Sequence, residues 1–226
     1  MQRHFHEELN ELKQLLTQMA SLVEISISNA ILSLKQRDNA IADDVINKDD
    51  KINNLEIKID EESLRLLALQ QPMAVDLRFI TSAMKINNDL ERMGDHAVNI
   101  AECAKKLNEQ EQLKPLIDIP RMAEIAQGML RDSLESFLNG NVKTARAVCI
   151  RDDEIDQLDE QIFRELASFM AEDPRTISRA LNLILVSKNL ERIADLSTNI
   201  SEEVIFIYNA RTIKHHIEER KGDEAR

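Results

Sequence analysis

LERMGDHAVNIAE (90–102) and LERIADLSTNISE (190–202) stand 100 residues apart in one chain. Leu90/Leu190, Glu91/Glu191, Arg92/Arg192, Asp95/Asp195, Asn99/Asn199, Ile100/Ile200 and Glu102/Glu202 are identical, in a register without a gap. Upstream, DDKINNLEIKI (49–59) aligns with DDEIDQLDEQI (152–162), and Pro72 with Pro174. A solenoid needs three or more stacked repeats to bury a continuous core. Two copies of about 100 residues are each long enough to hold a core of their own, so the chain reads as a duplicated bundle.

Around this pair, apolar residues recur at three- and four-residue spacing, and no segment alternates convincingly. The spacing predicts six helices, at about 5–36, 39–70, 73–107, 120–138, 142–171 and 174–211. Pro72 restricts the residue before it and suits the first turn of the next helix. NEQEQLKPLIDIP (108–120) holds two of the chain's four prolines and is the best linker candidate. Asn139-Gly140-Asn141 ends a helix with residues that tolerate left-handed geometry, and Asp173-Pro174 supplies an N-cap followed by proline. The expected fold is all-α, two tandem three-helix bundles at 1–108 and 120–211, with a linker at 109–119 and a charged C-terminal tail at 212–226.

Composition agrees. Four Gly, four Pro, six Phe, one Tyr and no Trp leave little material for sheet corners or a glycine-rich nucleotide fold, and the core must be Leu, Ile, Met, Val and Ala. Hydrophobic residues at 43% argue against disorder. A net charge of −12 disfavours nucleic acid as a direct partner, because phosphate neutralisation needs a basic face, and suits cations or basic proteins. No continuous apolar run approaches the ~18 residues of a membrane span, and the N-terminal residues lack a signal-peptide pattern. The expected compartment is the cytoplasm.

At about 100° per residue from Glu91, Asp95 falls near 40°, Asn99 near 80° and Glu102 near 20°. Leu90, Met93, Ala97, Ile100, Ala101 and Ala104 fall on the opposite, core-facing arc. The second motif repeats the division, with Glu191, Asp195, Asn199 and Glu202 opposite Leu190, Ile193, Ser197, Ile200 and Val204. Residues four apart on a helix are neighbours, so each Glu-xxx-Asp pair can close on a hard cation. Oxygen donors suit Mg, Mn, Ca or Fe; a solvated acidic face fits the same pattern. Asp49 and Asp50, with Asp152, Asp153 and Asp156, form a second acidic cluster on the middle helix of each half, either completing a metal shell or simply solvated.

Enzyme templates are missing. No His has Glu three residues before it, as di-iron bundles require, and there is no GxxxxGK[ST], HExxH or GxSxG. His96 is matched by Leu196 and reads as structural or solvent-exposed. Cys103 and Cys149 have no CxxC spacing and read as structural thiols. No catalysis is expected.

Residues 85–102 (KINNDLERMGDHAVNIAE) and 188–202 (KNLERIADLSTNISE) closely resemble the duplicated signature of the PhoU family, as does the whole-chain architecture. The resemblance implies a non-enzymatic negative regulator of phosphate uptake and of the phosphate starvation response, whose output is transcriptional. It implies an adaptor between the ATPase of the phosphate ABC transporter and the sensor histidine kinase, recruited to the inner face of the membrane without inserting into it. Homodimers are common in the family, and some members bind metal ions on the motif helices. By position this makes Glu91, Asp95, Glu191 and Asp195 metal candidates, with Asp49, Asp153 and Asp156 secondary. The alternative is a metal-binding scaffold or store whose bound ion is itself sensed.

Overall fold

The computed structural model describes residues 2–70 and 72–209. In chain order the helices are α1 (Gln2–Gln36), α2 (Asn39–Lys48), α3 (Asp50–Gln70), α4 (Val75–Asn108), α5 (Asp118–Asn139), α6 (Val142–Glu172) and α7 (Ile177–Asn209), with a 3-10 turn at Pro174–Thr176. The described residues contain no strand. The predicted 210–211 end of the last helix and the tail at 212–226 lie outside the described residues.

Local chemistry sets most boundaries. Asp38 caps α2 by accepting from Ala40 N, and Asn141 caps α6 by accepting from Thr144 N. Gly140 ends α5 at φ +70°, where glycine carries no Cβ penalty. Its counterpart in the first repeat is Arg37, also left-handed at φ +55°. The Arg37 guanidinium donates to the carbonyls of Asn108 (2.8 Å) and Gln110, and so caps the C-terminal end of α4.

Two boundaries depart from expectation. The predicted helix 39–70 is interrupted at Asp49, which keeps helical angles (φ −58°, ψ −36°) while its carbonyl accepts from both Ile52 N and Asn53 N. Asn53 Nδ2 also donates to the Asp49 carboxylate, 3.1 Å away. The bond from Asn53 N is the ordinary helical one and that from Ile52 N the tighter 3-10 type, so the chain passes from α2 to α3 without leaving helical geometry. Nor does Pro72 open the next helix. Ala74 takes φ +51° and α4 begins at Val75 without a side-chain cap. In the second repeat Asp173 accepts from Arg175 N and the chain enters α7 through the 3-10 turn.

α1 to α4 form the first bundle and α5 to α7 the second, but the two share one core. α1 packs on α5 and α4 on α7, in addition to contacts within each bundle. The α4–α7 pairing is antiparallel: Arg78 Nε donates to Ile207 O, Ser82 Oγ to Glu203, and His96 meets Asn189. These pairs centre near Arg92 and Arg192, so the repeats are related by a pseudo-twofold axis at the motifs. Phe79 of α4 stacks on Phe137 of α5 with ring centroids 4.6 Å apart, bridging the halves.

α1 also contains a window apolar enough, by length and composition, to cross a membrane, which a count of continuous apolar residues passes over. Here its Leu12, Leu16, Met19, Val23, Ile27 and Ala30 are wholly buried in the protein's own core.

Candidate functional site

The two motif helices carry their side chains as the wheel predicts. Leu90, Met93, Ala97, Ile100, Ala101 and Ala104 are fully buried, as are Leu190, Ile193, Ile200 and Val204. Glu91 and Glu191 are half-buried, and Asp95 and Asp195 are exposed. Burial class is identical, position by position, from 91 to 101 and from 191 to 201.

In the first repeat the stripe gathers carboxylates from two helices. Burial pushes the Glu91 carboxyl up, and the charges of Asp95, Glu56 and Asp49 push it further, with Arg92 opposing. Asp49 is raised by burial and by Asp95 and Asp50, against the hydrogen bond from Asn53. Glu56 is raised by burial and then by Asp60 and Asp95. Asp95 therefore acts on all three. The close approach depends on Gly94, where a methyl group would lie 3.1 Å from Ile52 Cδ1 and 3.4 Å from Asp49 Oδ1.

The second repeat assembles the corresponding group around a lysine. Burial raises the Asp195 carboxyl, as do the charges of Glu191 and Asp156, while Lys188 and Arg192 oppose. Lys188 Nζ lies 2.6 Å from Asp159 and 3.4 Å from Glu191, and its own pKa is raised chiefly by the hydrogen bond to Asp159. Asp159 is buried and also accepts from Ser187 Oγ at 2.5 Å. The residue aligned with Lys188 is Asn88, which is exposed.

Of the predicted residues, Glu91, Asp95 and Asp49 are brought together, as are Glu191, Asp195 and Asp156. Asp153 is exposed and is not among the carboxylates that act on Asp195. Glu56 and Asp159 are additional members that the sequence reading passed over. Their signal was available, since they occupy aligned acidic positions in the two upstream repeats. The all-oxygen donor set and its mutual repulsion fit a hard cation. Among the described residues, however, no three His, Cys, Asp or Glu side chains are grouped closely enough to hold a metal ion as they stand.

Between the stripes, α4, α6 and α7 border a cleft of about 670 Å³ lined by Arg92, Asp95, His96, Asp152, Arg192 and Asp195, among others. His96 is buried, with Nδ1 2.9 Å from Asn189 Oδ1. Asn189 Nδ2 already donates to Leu185 O, which leaves its oxygen to accept from the imidazole. Burial lowers the His96 pKa, as do the charges of Arg192 and Arg92, so the ring is neutral and structural near neutral pH. On the other side of the axis the pair is Asp89 and Leu196, and burial pushes the Asp89 carboxyl up to about 6 against the pull of Arg92. Both thiols are free and raised by burial, Cys149 to about 11, as expected of structural cysteines.

Known proteins show the same duplication. The model of the PhoU domain matches the chain twice, over residues 16–104 and 119–204. A phosphate-specific transport system accessory protein PhoU homolog from Aquifex aeolicus is 42% identical over 217 residues, covering 96% of this chain and 98% of its own. The crystal structure of PhoU from Pseudomonas aeruginosa superposes with a TM-score of 0.88 at 37% identity, covering 92% of this chain and all of that one. The phosphate transport system regulatory protein PhoU from Streptococcus pneumoniae gives a TM-score of 0.87 at 32% identity over 93% of this chain and all of its own. With both repeats matched and nearly the whole length covered, the chain belongs to the PhoU family.

Proposed function

We propose that the protein is a non-enzymatic accessory regulator of phosphate uptake that restrains the phosphate starvation response when phosphate is plentiful. It acts in the cytoplasm as an adaptor, contacting the ATPase of the phosphate ABC transporter and the sensor histidine kinase, and biasing the kinase towards dephosphorylating its transcription factor. The observation that carries this reading is the identity of 40–42%, along both repeats, to relatives named as phosphate-specific transport system accessory proteins. The acidic stripes and the net charge of −12 support basic protein surfaces as the partners.

The stripes are also proposed to take a divalent or trivalent cation such as Mg, Mn, Ca or Fe, with Glu91, Asp95 and Asp49 in the first repeat and Glu191, Asp195 and Asp156 in the second. Asp153 is the outlying candidate. A bound cation would neutralise mutually repelling carboxylates; the side chains must first swing together. The residues themselves hold the charges apart at rest and fix the faces on rigid helices. Metal as the sensed quantity is the second reading, and the raised Glu91, Asp49 and Asp195 favour it as far as a cation site goes.

The test is affinity capture from cells grown in high and low phosphate, with identification of what is retained. Retention of the kinase and the ATPase, and derepressed alkaline phosphatase on deleting the gene, are the expected results. Failure to retain either, with wild-type control in the deletion strain, would end the adaptor reading. Elemental analysis of untagged protein, paired with melting with and without added Mg or Mn, decides the metal reading.

A further inference from the structure

The flank of α7 that bears the second stripe continues towards the helix start as an apolar seam. Ile177, Leu181, Ile184, Lys188, Glu191 and Asp195 follow one another at spacings of four and three, the heptad spacing that presents a single edge to a partner helix. Phe163 on α6 lies seven residues, two turns, beyond Asp156 and so shares its flank. Since Asp159 meets Ser187 and Lys188 across the antiparallel α6–α7 groove, Phe163 sits one turn along, level with Ile184. The groove is therefore apolar at one end and acidic at the other. Its apolar end is open to solvent: Phe163 is 50% exposed, Ile177 42%, Leu181 48% and the flanking Leu185 50%.

The first repeat keeps only part of this surface. Leu77, aligned with Ile177, is 41% exposed, but Asp60 stands where the second has Phe163, Thr81 where it has Leu181, and Lys85 where it has Leu185. Asp60 accepts from Asn87, and Lys85 is tied to Glu203 and lies over the Phe206 ring. Duplication has thus kept the fold in both halves, with the apolar edge continuous in the second and broken by Asp60, Thr81 and Lys85 in the first.

We propose that the α6–α7 groove of the second repeat is the docking site for one amphipathic helix of a partner protein, apolar at the Phe163–Leu181 end and basic at the Glu191–Asp195 end. The seam from Ile177 to Asp195 is about 27 Å long, a helix of five turns. Charge selects the occupant. A second copy of this chain would bring the same groove, so its acidic end would meet either another acidic end or the apolar seam. A lysine- or arginine-bearing helix satisfies both ends. This rests on the adaptor reading and says which face carries the contact.

The test uses the full chain and a labelled helical peptide of five turns, with leucines along one half of its seam and lysines along the other, read by fluorescence anisotropy. The purified kinase cytoplasmic region and the transporter ATPase are measured in parallel. The variant carries the first repeat's residues, Phe163→Asp, Leu181→Thr and Leu185→Lys; Leu181→Thr alone serves if the triple change unfolds the protein by circular dichroism. The wild type is expected to bind the peptide, with at least tenfold loss in the triple variant, at least threefold in the single, and weakening by salt. Equal binding by wild type and folded variant, or none by either, overturns the proposal, as does self-association that the variant abolishes in sedimentation. If the peptide binds through the groove while neither the kinase nor the ATPase binds, the groove stands and the adaptor reading falls. If kinase or ATPase binding survives the variant and peptide binding does too, the reverse holds.

Discussion

In the first repeat Asp49, Glu56, Glu91 and Asp95 repel one another beside a neutral Asn88, whereas in the second Lys188 lies among Asp159, Glu191 and Asp195. Helix register and burial are the same along the two motifs, 91–101 and 191–201. Two aligned residues differ, Asn53/Asp156 and Asn88/Lys188, so the faces carry equal formal charge but only the second has a lysine set within it. The second repeat sets a lysine among its carboxylates and carries apolar side chains on the neighbouring surface; the first has only Arg92 opposing its Glu91. A shared motif therefore does not imply two equal sites.

This contrast can be broken at several points. The largest effect is expected where the repeats solve the same turn differently. Gly140→Ala puts a methyl group at φ +70° and displaces the tip of the exposed Tyr208 ring, and should lower stability by about 1–3 kcal/mol in chemical denaturation. Arg37→Ala, at the matching turn, removes an exposed carbonyl cap and should cost only about 1 kcal/mol. Equal losses would mean that residue 140 tolerates a Cβ at positive φ as readily as residue 37 does.

Asp89→Asn gives the first repeat the residue that the second has at Asn189. The folded carboxyl titrates near 6, above the ordinary aspartate range, so its favourable contribution is complete below about pH 4 and is lost as pH rises to about 6. The variant should match the wild type near pH 4 and exceed it by about 1–3 kcal/mol above pH 6, measured in chelator. Parallel stability curves across that window would contradict the burial assigned to Asp89.

Lys188→Asn gives the second stripe the residue that the first has at Asn88, with Asp156 still standing where the first has Asn53. It should cost about 1–2 kcal/mol, a discounted value because the lysine is 44% exposed while Asp159 is buried. It should also strengthen cation binding at the second stripe, and Asn88→Lys should weaken it at the first, by Mn titration. The smallest structural effect is expected from Glu91→Gln with Asp95→Asn. Stability should move by less than about 1 kcal/mol, because the stripe lies opposite the core and loses only repulsion. Unfolding of this variant by circular dichroism would mean that the pair holds the bundle together.

Much of this was legible before any coordinates. The wheel placed Leu90, Met93 and Ile100 in the core and Glu91 and Asp95 on its far side, because a 3.6-residue period is a local property. The αL residue at Gly140 and the Asp173 cap were legible for the same reason. The interruption at Asp49 was not, since it is a local tightening of the hydrogen-bond ladder with no Gly or Pro to mark it. Lys188 was visible as a residue but not as a counter-ion. Its reach to Asp159 depends on the register between α6 and α7, which tertiary packing sets. The seam from Ile177 to Leu185 was hidden for a related reason, because periodicity reports an apolar edge without saying whether another helix covers it.

The antiparallel α4–α7 pairing, centred near Arg92 and Arg192, has the form of an isologous contact, in which the same patch meets itself across a twofold axis. Within one chain it is an interface that two separate copies of a single repeat would otherwise have to find by diffusion. Joined by the segment at 109–117, the two faces meet at an effective concentration in the millimolar range set by the tether, and their union no longer depends on how much protein the cell makes. A single repeat cut free would present the surface around Met93 and His96 to water and pair only as its concentration allowed.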